Sequence, residues 1–491
     1  MAVPVHLPVP PHCQCLSMTS RIEEASITAN VPGNHLTLEL TETLKLAAPI
    51  ALTQLGQIAM MSTDLAFIGR LGDDAVAAAA LAGTVYFVSF TFGMGLMSAV
   101  APLAAQAFGR RDPHLIRRAL RTGLWAAPLI ALPIMAFPLR GEQILLALGQ
   151  ASVPARLAQQ YLFGLAWGVM PALWFLAIRS FMSAIHRPQP VLWITLAAIP
   201  ANALLAYLLI YGEWGLPRLE LFGAGLATTI VNFGTFVASL WFATSRRPFR
   251  KYHVLGHVWR IDWALMRQLL TIGAPISVAF LLEYGLFSAA ALLMGLISTA
   301  ALAAHQVALQ VTAILFMVPF GISLAATVRV GHAVGRNDAK AVKRAGLVAT
   351  LLGIVLASVL TLAVVVARFA IARAFFGETS GDAGAAVELA ATLLMVGATF
   401  FVTDAVQTIV VGSLRGMNDT RIPLLFAAIG YWMIGFPCAY ALAFSARFGA
   451  VGVWIGLSCG TAVYAVLLIL RFRLLVGRLE HGESPRSPAH G

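Results

Sequence analysis

The sequence predicts an all-α membrane protein, with about twelve transmembrane helices in two six-helix lobes related by a pseudo-twofold axis along the membrane normal. Three observations predict it. Of 491 residues, 59% are hydrophobic and only 11% are charged, whereas soluble domains are nearer half apolar and a quarter charged. The apolar residues gather in runs of about 20 or more, long enough to cross the hydrocarbon. The second half of the chain repeats the first.

Taken in order, the runs lie near 44–69, 76–107, 119–139, 157–183, 190–211, 221–244, 264–297, 300–331, 345–367, 386–416, 423–445 and 450–472. Several exceed the membrane's thickness, so their helices should tilt or project into water. The net charge of +12 sits in short Lys/Arg clusters between the runs, which suits membrane loops and not a nucleic-acid-binding face. Arg110, Arg111, Arg117, Arg118 and Arg121 follow the second run. Arg246, Arg247, Arg250, Lys251 and Arg260 follow the sixth, and Arg336, Lys340, Lys343 and Arg344 the eighth. Arg415 and Arg421 follow the tenth, and Arg471, Arg473 and Arg478 the last. The alternate loops balance Arg70 with Asp73 and Asp74, and Arg218 with Glu213 and Glu220. This bias places the basic loops and both termini in the cytoplasm.

Residues 1–40, rich in proline, read as a disordered tail, with Met18 a second candidate start. Residues 41–245 form an N-lobe, 246–263 a cytoplasmic linker, 264–473 a C-lobe and 474–491 a disordered C-terminal tail. Within the linker, Trp259 and Trp263 suit either an interfacial helix or a loop with belt aromatics. Cys13, Cys15, Cys438 and Cys459 have no zinc-type spacing and read as unpaired thiols.

The repeat holds a constant register. Ala48-Pro49-Ile50 recurs as Ala274-Pro275-Ile276, and Gly109-Arg110-Arg111-Asp112 as Gly335-Arg336-Asn337-Asp338 (275 − 49 and 335 − 109 are both 226). Each half has an even number of spans, so the halves are parallel repeats, a plan that transporters use to rock two lobes about a central cavity. Pro128, Pro133, Pro171, Pro200 and Pro319 fall inside spans and remove backbone hydrogen bonds, giving kinks or packing curvature.

Three carboxylates fall within the runs: Asp64, Glu283 and Asp404. Insertion scales charge about 2.5–3.5 kcal/mol for an ionised residue at a span centre, so such groups usually face the bundle interior and serve function. Each also has a structural reading: a solvated span end for Asp64, a buried pair with Arg or Tyr for Glu283, a hydrogen-bond acceptor for Asp404. Lining a cavity, they would bind a proton, Na⁺ or an organic cation. Arg179 and Arg329, near span ends, are expected to snorkel to the interface, and His305 to be a hydrogen-bonded structural residue.

Four stretches carry a resemblance. They are Thr63-Asp64-Leu65-Ala66-Phe67-Ile68-Gly69-Arg70-Leu71-Gly72, Glu283-Tyr284-Gly285-Leu286-Phe287-Ser288, Pro319-Phe320-Gly321 with Val330-Gly331, and Asp404-Ala405-Val406-Gln407 with Leu414-Arg415-Gly416. In this order the chain resembles the NorM-like branch of the multidrug and toxic compound extrusion (MATE) exporters, from about Thr41 to Arg473. The resemblance implies export of cationic amphipathic compounds in exchange for H⁺ or Na⁺, with no other cofactor. It assigns Asp64 as the N-lobe carboxylate, Asn202 as a polar partner, and Glu283 and Asp404 as the cation-binding carboxylates of the C-lobe. The substrate cavity is expected to draw on Asp64, Asn202, Gln57, Phe400 and Tyr284. The chain departs from the pattern at Ala206, Gln310, Phe400 and Phe401, which removes oxygen ligands and leans toward H⁺, while Na⁺ at Glu283 and Asp404 stays open.

The expected partners are small organic cations and the bilayer, with no nucleic acid, and the chain is expected to act as a monomer in a bacterial inner membrane. A flippase for lipid-linked saccharides is the alternative on a related architecture, although its phosphate-bearing cargo calls for a basic cavity. No His-Glu-x-x-His, protease aspartate pair or Ser-His constellation points to an enzyme.

Overall fold

The computed structural model describes residues 34–481, apart from 216, 247–248, 253–255, 257–258 and 377–381. Most of both expected tails, with Cys13, Cys15 and Met18, lies outside the described residues, as does Arg247. Two tail boundaries are corrected: residues 34–40 belong to the first helix and 474–480 to the last.

The N-lobe comprises α1 (Asn34–Gly69), α2 (Asp73–Gly109), α3 (Pro113–Leu139), short α4 (Gly141–Ala147), α5 (Ser152–Ala166), α6 (Val169–Ala184), α7 (Gln189–Tyr211) and α8 (Glu220–Ser245). The C-lobe comprises α9 (Trp263–Ile297), α10 (Thr299–Gly335), α11 (Ala339–Phe376), α12 (Asp382–Gly416), α13 (Arg421–Ser445) and α14 (Gly449–Glu480). Eleven of these helices are long and apolar enough to span a membrane, and the pair α5 and α6, bent by 45°, makes a twelfth. The chain is therefore a multi-pass membrane protein with the expected twelve-span plan.

Local chemistry sets the helix starts. Asp112 accepts the His114 and Leu115 N–H groups with Pro113 at the first helical position, and Ser298 caps α10 through Ala301 N–H, satisfying donors that a helix N-terminus leaves open. Asp262 caps α9 and also receives Arg118 from the N-lobe, 2.5 Å away. Burial pushes the Asp262 carboxyl up, but the hydrogen bonds from Arg118 and Leu265 N–H outweigh it and hold the group below the usual carboxylate range. No helix forms over 259–262, so the linker tryptophans belong to a loop and a helix start, both exposed.

The lobes meet through α1 and α2 of one half against α10 and α9 of the other, a pattern that the repeat maps onto itself. The closest approaches are paired in the same way. A Cβ on Gly109 would meet His332 O, and one on Gly335 would meet Gln106 O; both pairs are related by the 226-residue offset. Higher up, a Cβ on Gly95 would lie 2.5 Å from Ser277 Cα, and one on Gly321 2.7 Å from Ala51 Cβ, again offset equivalents. Glycine is needed at these crossings because the backbones touch.

Hydrogen bonds close the same end. Gln106 Nε2 donates to Gly416 O at 2.9 Å, Asn418 Nδ2 donates to Gln106 Oε1 at 3.0 Å, and His332 Nε2 lies 2.6 Å from Ala184 O. Arg329 pairs with Glu39, so it bridges the lobes instead of snorkelling. These hydrogen bonds between the lobes, with that of Ser277 Oγ to Phe92 O, fall between mid-membrane and the end carrying the basic loops. The lobes are thus sealed together at the basic end.

Candidate functional site

In the N-lobe, α1, α7 and α8 converge on Asp64, which is 7% exposed. Asn202 Nδ2 donates to Asp64 Oδ1 at 2.5 Å, and the Thr228 hydroxyl lies 3.3 Å from Oδ2. Pro200 sits inside α7 two residues before Asn202 and removes a backbone bond there. Asn202 is fully buried and its Oδ1 has no partner. A buried orphan acceptor is costly, and beside a carboxylate it offers a second oxygen to a cation. Gln57, expected at the cavity, is exposed on α1.

In the C-lobe, Asp404 and Gln407 are three residues apart on one face of α12. Gln407 Nε2 donates to Asp404 Oδ1 at 2.8 Å. Gln407 also lines a pocket with Glu283 of α9, Tyr431 of α13, Tyr464 of α14 and Arg415. Gln407 therefore joins the two expected carboxylates. Among the described residues no three His, Cys, Asp or Glu side chains form a metal cluster, so a Na⁺ here would also draw on amide, hydroxyl or backbone oxygens.

Phe400 and Tyr284 divide. Phe400 is fully buried within the C-lobe, edge-on to Trp454 at 5.6 Å and Phe287 at 5.9 Å. It is a core residue, a correction to its expected place in the cavity. Tyr284 faces Phe87 of the N-lobe with ring centroids 5.0 Å apart, which puts it between the lobes. His305 is also buried, edge-on to Trp454, and neither ring nitrogen has a hydrogen-bond partner, contrary to the expected hydrogen bonding.

Some residues were missed. The α13 span contains two π-helical stretches, Ala428–Gly435 and Ala441–Ser445, of a kind often found at functional sites. The first carries Tyr431 toward Glu283 and lets Trp432 Nε1 donate to Leu282 O at 3.1 Å. Arg415, counted as a loop charge, is buried at 8% exposure with its guanidinium 4.9 Å from the Phe280 ring centre. Arg179 does not snorkel; its Nη1 donates to Gln54 Oε1 at 2.7 Å. The signal for Arg415 was its place inside Leu414-Arg415-Gly416, before the loop begins.

Comparisons with known proteins bear on the fold. The MatE family model matches residues 49–208 and 275–441, one segment in each lobe. The chain is 67% identical over 451 residues to a probable multidrug resistance protein NorM of Bradyrhizobium diazoefficiens, covering 92% of this chain and 97% of that one. It is 57% identical to the corresponding protein of Rhodopseudomonas palustris, over 89% of this chain and 92% of that one. The crystal structure of the eukaryotic MATE transporter AtDTX14 superposes with a TM-score of 0.81 at 21% identity, over 91% of this chain and 99% of that one. A family of transporters, not of enzymes, accounts for the twelve spans and the internal duplication: this chain belongs to the MATE family.

Proposed function

We propose that this protein exports cationic amphipathic compounds across a bacterial inner membrane by alternating access, driven by the entry of H⁺ or Na⁺, with both termini in the cytoplasm. The observation that carries the reading is the pairing of intramembrane carboxylates with neutral oxygen donors in each lobe: Asp64 with Asn202, and Asp404 with Gln407 beside Glu283. Such groups are costly in a membrane, and their retention there points to a transport path. The relatives named as multidrug resistance proteins supply the substrate class. Loop charge supplies the orientation, and on it the sealed end is cytoplasmic, so the conformation is outward-facing. Glu283 and Asp404 bind the coupling ion, and Asp64 forms a second cation site in the other lobe.

The test uses purified protein in liposomes loaded with a fluorescent cationic dye, with H⁺ and Na⁺ gradients imposed separately. Dye movement on one gradient names the coupling ion, and Glu283→Gln or Asp404→Asn should abolish it in folded protein. Full transport by both variants would remove these residues from the mechanism. The flippase alternative gains one observation, the two arginines facing the cleft between the lobes. It takes over if folded protein moves dye on neither gradient.

A further inference from the structure

We propose that the cleft between the lobes holds an anion-binding site, built from Arg179 of the N-lobe and Arg415 of the C-lobe, that takes a monovalent anion. The anion is either a carboxylate carried by a transported compound or a free inorganic ion such as chloride.

The cleft encloses about 670 Å³ of empty space, counting its open mouth. Its walls come from α1, α2, α6, α7, α9, α10 and α12, and among its lining residues there is no Asp or Glu. Both lining cations are arginines, which stay protonated at any working pH. Arg179 has a neutral partner, Gln54. Arg415 has the face of Phe280, and its buried Nε has no hydrogen-bond partner. Glu283 shares the adjoining pocket with Arg415 and offsets part of its charge, but no ion pair joins them. Two guanidinium groups therefore face an apolar cleft with no compensating charge in its wall.

That arrangement is costly within a membrane, and the unpartnered N–H adds to the cost. An anion relieves both. A guanidinium offers paired N–H donors that match the two oxygens of a carboxylate. Ser180 and Ser183 supply hydroxyls in the same wall as Arg179. Because the arginines come from different lobes, a bound anion joins the lobes and favours the form sealed at the basic end.

The proposal rests on reading this cleft as the transport path, so its test is an equilibrium binding measurement that needs no gradient. The full chain in lipid nanodiscs is titrated with a rhodamine dye bearing a free carboxylate and, separately, with its methyl ester, and bound dye is read by fluorescence polarisation. The acid is expected to bind about tenfold more tightly than the ester. Arg415→Gln should remove that preference, so that acid and ester bind alike, and Arg415→Lys should retain part of it. If wild type binds acid and ester equally but chloride at constant ionic strength raises its melting temperature, and not that of Arg415→Gln, the anion is a free ion. Equal binding with no chloride effect overturns the proposal. Where Arg415→Gln fails to fold, Arg179→Gln and Arg415→Lys carry the same comparison. Ester transport on a gradient tests the exporter reading separately.

Discussion

Alanine at Gly109 should hold the two lobes apart at the basic end. The added Cβ would run into His332 O and lie 3.0 Å from Gly335 Cα, and both obstacles are backbone, which cannot rotate away. Overpacking of this kind costs about 1–3 kcal/mol. The cost falls only on the sealed form, because separating the lobes relieves the contact. The sealed population should therefore drop by about 5- to 150-fold relative to the opposite state. Alanine is the better helix former, so any loss is steric. The assay is a spin-label distance distribution between cysteines placed at exposed Arg187 and Lys340, one on each lobe. Gly335→Ala should act in the same way, because its Cβ meets Gln106 O and lies 3.0 Å from Gly109 Cα. Gly69→Ala, with open space around it, is the control. Unchanged distances and unchanged efflux in both variants would refute the view that this crossing sets the conformation.

Three other outcomes are expected. Asn202→Ala takes away the 2.5 Å bond to Asp64 and should lower stability by about 1–3 kcal/mol while reducing dye efflux; chemical denaturation and liposome transport would show both. Phe400→Ala empties a fully buried site and should cost about 3–5 kcal/mol, visible as a lower melting temperature, with the dye affinity of the folded fraction unchanged because Phe400 does not line the cleft. Asp262 has a depressed pKa, so its ion pair with Arg118 contributes above the ordinary aspartate pKa of about 3.9 and is lost as pH falls through the lower, folded value. For a pair this exposed the contribution is about 0.2–1 kcal/mol. A melting-temperature series from pH 6 downward should be steeper for wild type than for Asp262→Asn.

The sequence carries the fold more fully than the site, and the reason is physical. Spans announce themselves because every residue of a long apolar run reports the same environment, and a duplicated register such as Pro49 and Pro275 repeats the message. The carboxylates are legible for the related reason that charge is rare in hydrocarbon. Arg415 is equally rare but sits at the end of α12, where composition cannot tell a buried guanidinium from a solvated loop charge. Phe400 shows the opposite limit. Hydropathy places it in a span, but whether it faces the cleft or the lobe interior depends on packing against α14, and no local pattern encodes that. The π-helical path of α13 has no compositional mark either; it is recognisable only once Tyr431 is seen beside Glu283.

The repeat also separates what the duplication kept from what it let diverge. At the seal, equivalents serve alike: Gly109 packs against Gly335, and Gln106 and His332 each reach a backbone carbonyl of the opposite lobe, Gly416 and Ala184. The chain bends beyond them are also alike, with Arg111 at φ 57° and Asn337 at 56°, and His186 at 60° and Asn418 at 61°. At the carboxylates the symmetry fails. The 226-residue offset pairs Glu283 with exposed, neutral Gln57, and Asp64 with Ala290. A two-lobed rocker needs matched surfaces where the lobes meet, because both must pivot about one axis. It gains nothing from matched chemistry inside them, and on the proposed function two unlike sites let the lobes bind their cations differently. On the proposed function, the duplicated frame serves the rocking of the lobes, and residues without a repeat counterpart, Asp64 and Glu283, serve selectivity.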